Sequence, residues 1–157
     1  MILRLSTASR LAHCSIAFAA LLLAGCAGDR DPPAGEPSFY RSMAVSGAKL
    51  DAAMAASMIS GYRRNNGLSA VTVDPALMRL AEAQARAMAS RDKLDHNVGR
   101  GFAERIRASG YDARIAVENI GAGYHTLAQA FSGWRDSPPH RANMLNRNAT
   151  HIGIAAV

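Results

Sequence analysis

Beyond position 26 the chain contains no cysteine, so whatever this segment folds into must be held by packing and hydrogen bonding alone. The two cysteines, Cys14 and Cys26, both lie near the N-terminus. The first 25 residues read as a secretion address: Arg4 and Arg10 form a basic start, and Ile16 to Leu23 form a short apolar run. That run is shorter than the ~20 residues a membrane span needs. It closes on Leu23-Ala24-Gly25-Cys26, a lipobox in which small residues fit a signal peptidase and the Cys26 thiol accepts a diacylglyceryl group. The expectation is a signal peptide over 1–25, discarded together with Cys14, and a membrane anchor of lipid on Cys26. With Ala27 in the next position, the destination in a Gram-negative host is the outer membrane.

The remainder of the chain divides at about residue 48. Residues 26–48 hold Pro32-Pro33, Gly35, Pro37, Gly47 and several serines without apolar periodicity, the pattern of a flexible tether. As a random coil it reaches roughly 25 Å. Residues 49–157 are long enough for one folded domain and too short for two. Without Arg4 and Arg10 the excess of basic over acidic residues falls from 6 to about 4. These basic residues are scattered and lack interleaved aromatics, which argues against a nucleic-acid partner. Arg86, Arg91, Lys93, Arg100, Arg105 and Arg107 read as a solvated helical face.

Periodicity places four helices. Leu50, Met54, Met58 and Tyr62 draw a stripe over 50–64, ended by Asn66-Gly67. Asp74 caps, and Pro75 begins, a helix to about Asp92 that presents Leu77, Leu80, Ala81, Gln84 and Met88. A short helix over 101–108 carries Phe102 and Ile106, and Thr126 caps a helix over 127–136 that presents Leu127, Ala130, Phe131 and Trp134. Ser137-Pro138-Pro139 breaks this last helix before a final turn through Met144 and Leu145. Ile115–Ile120 and Ile152–Val157 are β-prone. Tyr111, Phe131 and Trp134, with Met54, Met58, Met78, Met88 and Met144, read as core. His125 and His151 read as surface residues.

Spaced through 50–157 are Asn66-Gly67-Leu68, Val73-Asp74, His96, Arg105, Gly110-Tyr111, Glu118-Asn119-Ile120, Trp134, Ser137, His140-Arg141, Asn143-Met144-Leu145 and Ile152-Gly153-Ile154. In this order they resemble the CAP superfamily of cysteine-rich secretory proteins, antigen 5 and pathogenesis-related proteins, in its bacterial SCP-domain form. The resemblance implies an α/β fold, an α-β-α sandwich. The chain departs from the family pattern in having Val117 where glycine precedes the Glu-Asn pair. It also lacks the further strand with a Tyr-Trp-Thr-Gln or His-Tyr-Thr-Gln motif, so one sheet edge is expected to be open.

Position by position, the resemblance makes His96 the first histidine and Glu118 the first glutamate of a family metal cleft. Ser137 stands where the second glutamate would be, and His140 belongs to the bacterial His-Arg pair. Imidazole and carboxylate suit zinc, and the set His96, Glu118 and His140 would make a weak divalent-metal site. Each residue also has a plainer reading: His96 closing a helix end, Glu118 buried against an arginine such as Arg141, and His140-Arg141 fixing the final turn. Two functions are compatible with these residues. One is a lipid-anchored envelope module that binds a lipid, a small apolar ligand or a partner protein, favoured because the usual nucleophile and zinc-protease motifs are absent. The other is a metal-assisted hydrolase using His96, Glu118 and His140, with Ser137 as nucleophile or water holder.

Replacing Cys26 with serine is expected to leave unprocessed precursor and to abolish incorporation of radiolabelled palmitate. Continued labelling of that variant would contradict the anchor.

Overall fold

The computed structural model describes residues 35–157. The expected signal peptide, Cys26 and most of the expected tether lie outside the described residues. Five α-helices and two short strands come after a 3-10 turn at Ser38–Tyr40: α1 Ala52–Asn65, β1 Thr72–Val73, α2 Pro75–Ser90, α3 Phe102–Ala108, α4 Leu127–Asp136, α5 Pro138–Met144 and β2 His151–Ile152. Thr72 pairs with His151 and Val73 with Ile152 in a parallel ladder, with α1 packed against β1 and α2 against β2. This is a mixed α/β fold.

Local chemistry explains the helix starts. The Asp51 carboxylate accepts from the Met54 amide. Asp74 accepts from Ala76 and Leu77, with Pro75 in the first turn where its missing N–H costs nothing. The Leu77 amide chiefly holds the Asp74 carboxyl below its ordinary range. This cap is therefore fully effective above the ordinary carboxylate range and is lost as pH falls through the lowered folded value. Thr126 and Gln129 form a reciprocal capping box at α4.

Three expectations need correction. Ile115–Ile120 is not a strand: the segment is irregular, and no backbone ladder partner faces it among the described residues. Of the β-prone run Ile152–Val157 only Ile152 is paired. The two prolines after Ser137 do not lead into a mere turn; they occupy the first positions of α5, where fixed φ favours a helix.

The buried face of α1 is also rotated from the expected stripe. Ala55, Ala56, Ile59, Ser60 and Arg63 are buried, while Met54, Met58 and Tyr62 are half-buried on its flank. Ala55, Ile59, Val71, Leu127 and Ile154 form the core cluster, with Met78, Phe131, Trp134 and Ile152 packed against it. Tyr62 meets Phe131 edge to face at 5.6 Å. Trp134, expected to be buried, is half-buried, and its indole N–H donates to the Ile120 carbonyl at 3.3 Å. Gly153 lies flat on the start of α2, where an added Cβ would collide with the Leu77 carbonyl.

Arg63 is 1% exposed. Its guanidinium donates to the carbonyls of Ser69, Met144, Asn146 and Ala149 at 2.8 to 2.9 Å. Among the described residues it has no carboxylate partner, and burial lowers its pKa. Four carbonyls from two distant segments therefore depend on one side chain. Arg63→Ala is expected to cost about 3–5 kcal/mol, because the acceptors stay buried after their donor is gone. Arg63→Lys should recover only part, since three point donors cannot match a planar fork. Urea midpoints check this, and an Arg63→Ala midpoint equal to the parent's would contradict it.

Candidate functional site

α2 ends at Ser90 and a loop leads to His96. Two side chains fix this loop from different helices. Gln84 on α2, 3% exposed, donates to the Asp95 carbonyl at 2.9 Å, and Arg105 on α3 donates to the His96 carbonyl at 3.1 Å. The His96 imidazole is thereby turned to Glu118, with Nδ1 at 2.8 Å from Oε1. A carboxylate only accepts, so in neutral His96 the proton sits on Nδ1 and the Nε2 lone pair is left free.

Glu118 is deeply set, its side chain 14% exposed against 46% for His96. Arg105, 11% exposed, places Nη2 at 2.8 Å from both Glu118 oxygens. The Phe102 ring supports the guanidinium at 5.4 Å. Backbone anchors complete the arrangement. Asn143 on α5 donates to the Glu118 carbonyl at 3.1 Å and to the Asn119 side-chain oxygen at 2.9 Å; Asn119 in turn donates to the His140 carbonyl at 3.0 Å. The Glu-Asn pair of the sequence is thus one half of a hydrogen-bonded brace to α5.

His96 and Glu118 come together as the family pattern implies, 22 residues apart in the chain. His140 takes a different place: its Nδ1 lies 2.8 Å from the Ser137 hydroxyl, at the start of α5. Ser137 consequently gives no side-chain cap to that helix. The partner of Glu118 is Arg105, not Arg141. Arg105 therefore leaves the solvated basic face to which sequence alone assigns it; its helical spacing from Phe102 and its place in the family pattern are the available signals. Gln84 reads in the sequence only as part of an apolar stripe.

A divalent cation needs open carboxylate oxygens and, for zinc, three or four donors. Both Glu118 oxygens face Arg105, and no group of three His, Cys, Asp or Glu side chains converges among the described residues. As they stand, these residues do not fit a metal.

Beside this cluster lies a trough of about 1520 Å³. Leu77, Leu80, Ala81, Ala85 and Met88 of α2 line it, facing Ile115 to Gly123 and the terminal Ile152 to Val157. Leu94, Ile115 and Val117 are exposed along it, at 53%, 44% and 39%. Its size exceeds the ~300–1,000 Å³ typical of small-ligand sites. Tyr111 also lines it; burial and the Asp74 carboxylate 3.5 Å away raise its pKa.

The cysteine-rich secretory protein family model matches residues 56–157. YkwD of Bacillus subtilis, a protein of uncharacterised function, is 31% identical over 103 residues, which are 64% of this chain and 40% of YkwD. The chain thus spans about two fifths of that curated relative. An extracellular SCP-domain protein of Bacillus anthracis superposes with TM-score 0.64 at 21% identity, over 67% of this chain and 36% of that one. An outer surface protein of Borrelia burgdorferi gives 0.57 at 24% identity, over 68% and 84%. A cysteine-rich secretory protein of Staphylococcus aureus gives 0.57 at 14% identity, over 67% and 34%.

Asn143→Ala is expected to lower stability by about 1–3 kcal/mol through the unpaired Glu118 carbonyl. It should also shift the His96 ring-proton resonances, because the Glu118 backbone loses its brace. Unchanged denaturation and an unchanged His96 spectrum together would contradict the coupling.

Proposed function

The chain belongs to the cysteine-rich secretory protein (CAP) family, and from that premise we propose that it is an extracytoplasmic, membrane-anchored module that binds a lipid or another small apolar ligand. The observation that carries this reading is the trough of about 1520 Å³ between α2 and Ile115–Gly123. Its lining mixes polar with apolar side chains, and Leu94, Ile115 and Val117 present apolar surface along it that a bound apolar ligand would cover. The lipobox at Leu23 to Cys26 supports tethering at the cell envelope, in the outer membrane of a Gram-negative host. The named extracellular and outer-surface relatives agree with an exported location. No helix of the described residues is long and apolar enough to cross a membrane.

A metal-assisted hydrolase acting through His96, Glu118 and His140 is the second reading. The His96–Glu118 hydrogen bond favours it. Against it stand the guanidinium on Glu118 and the pairing of His140 with Ser137.

The test is titration with a fluorescent fatty acid. Ala85 lines the trough, whereas Ala83 does not and is exposed. Ala85→Trp is expected to weaken association about tenfold or more by filling the trough, the loss of some ~1.4 kcal/mol; Ala83→Trp should leave it unchanged. Absence of saturable binding, or equal affinities in the two variants, would remove this reading.

A further inference from the structure

The contact between Arg105 and Glu118 has an unusual form. Arginine and carboxylate commonly meet through two parallel bonds from two guanidinium nitrogens. Here one nitrogen, Nη2, is equidistant from both oxygens at 2.8 Å, and Nε is buried without a partner among the described residues. A single positive centre on the bisector of a carboxylate is the placement of a metal ion bound by both oxygens. Glu118 Oε1 also carries the His96 ring nitrogen, so the group around the carboxylate consists of an imidazole and a cation. The cation belongs to the chain.

We propose that Arg105 stands in for a divalent cation at Glu118, making the His96–Glu118 pair a metal-free site in this chain. Two arguments support the substitution. A carboxylate only 14% exposed needs a positive partner to remain charged, and Arg105 supplies one that never deprotonates. Its Nη2 further donates to the His96 carbonyl, so the cation also fixes the loop that carries the imidazole. A metal could do neither while Arg105 remains, because it would have to approach a guanidinium within a few ångströms.

The consequence is specific: removing the guanidinium should create metal affinity that the parent lacks. Without it Glu118 is left buried and uncompensated, and His96 can turn its tautomer to offer Nδ1 as a donor atom. This inference is independent of the apolar-ligand reading, since its readout is metal and not lipid.

The experiment is titration of the purified protein with cobalt(II) chloride, monitored by visible absorption and by paramagnetic shifts of the His96 ring protons. The parent is expected to show only the weak, non-saturating His96 shift of a lone imidazole Nε2 up to roughly millimolar cobalt, since Glu118 contributes no open oxygen. Arg105→Met should bind at least about tenfold more tightly, a lower bound on what relief from one unit charge at a few ångströms supplies near a protein surface. Arg105→Lys, which keeps the charge, should behave like the parent. Adding His96→Ala to Arg105→Met should abolish the shifted signals and the gained affinity. Should Arg105→Met not fold, Arg105→Gln serves in its place, because it keeps donors for Glu118 and the His96 carbonyl. Saturable binding at His96 in the parent would overturn the proposal, as would a folded uncharged variant with no gain.

Discussion

The fold depends on one buried guanidinium. Arg63 emerges from the inner face of α1 and distributes its donors among carbonyls 6, 81, 83 and 86 residues away. Taking a charge out of water is costly unless its hydrogen bonds are satisfied, so this arrangement is stable only with the chain around it closed. The carbonyls it holds belong to the Ser69 turn before β1 and to the Met144–Ala149 segment before β2. Those two segments then deliver Thr150 to the Thr72 amide and Ile152 to the Asp74 amide, at 3.0 and 2.9 Å. Ser60 adds a reciprocal pair with Val71 from the same face of α1. The parallel ladder itself has two residue pairs, flanked by these contacts from α1.

The same constraint reaches the candidate site through α5. Arg63 grips the Met144 carbonyl, and the preceding residue, Asn143, braces the backbone of Glu118. One short helix therefore joins the core to the carboxylate. α2 and α3 contribute from the other side by holding the carbonyls of Asp95 and His96. The imidazole is partly exposed and held by Glu118, while its backbone and its partner are fixed by the helices around them. Positioning of this kind is what a functional side chain needs if it is to act without being buried.

Much of this is legible in the sequence, and for physical reasons. Asp74-Pro75 and Thr126 with Gln129 fix helix starts because capping is local chemistry, independent of tertiary contacts. The meeting of His96 with Glu118 comes only from the family pattern; no periodicity brings together residues in two irregular segments. The polar residues that serve the core are not legible in this way. Arg63, Gln84 and Arg105 lie on helices where a charged or amide side chain ordinarily faces water. The stripe on α1 is misplaced for the same reason: counting only apolar residues excludes Arg63 and discounts the alanines. Composition assigns Ile115–Ile120 to a strand, yet β-propensity expresses packing against neighbours more than a backbone preference.

That segment also bears on why the trough and the brace occur together. Glu118 and Asn119 are tied to α5 and Arg105, while Ile115 and Val117, immediately before them, project into exposed apolar surface. The segment therefore separates two jobs by position, with Ile115 to Val117 exposed and Glu118 to Ile120 turned inward. A ladder partner would have fixed the backbone and covered both; without one, among the described residues the side-chain hydrogen bonds of Asn143 and Trp134 alone hold its carbonyls. On the apolar-ligand proposal, the brace at Glu118 and Ile120 would lessen the ordering that the neighbouring Ile115 and Val117 require when a ligand binds. The interior hydrogen bonds that secure Glu118 would then also help to prepare the neighbouring surface.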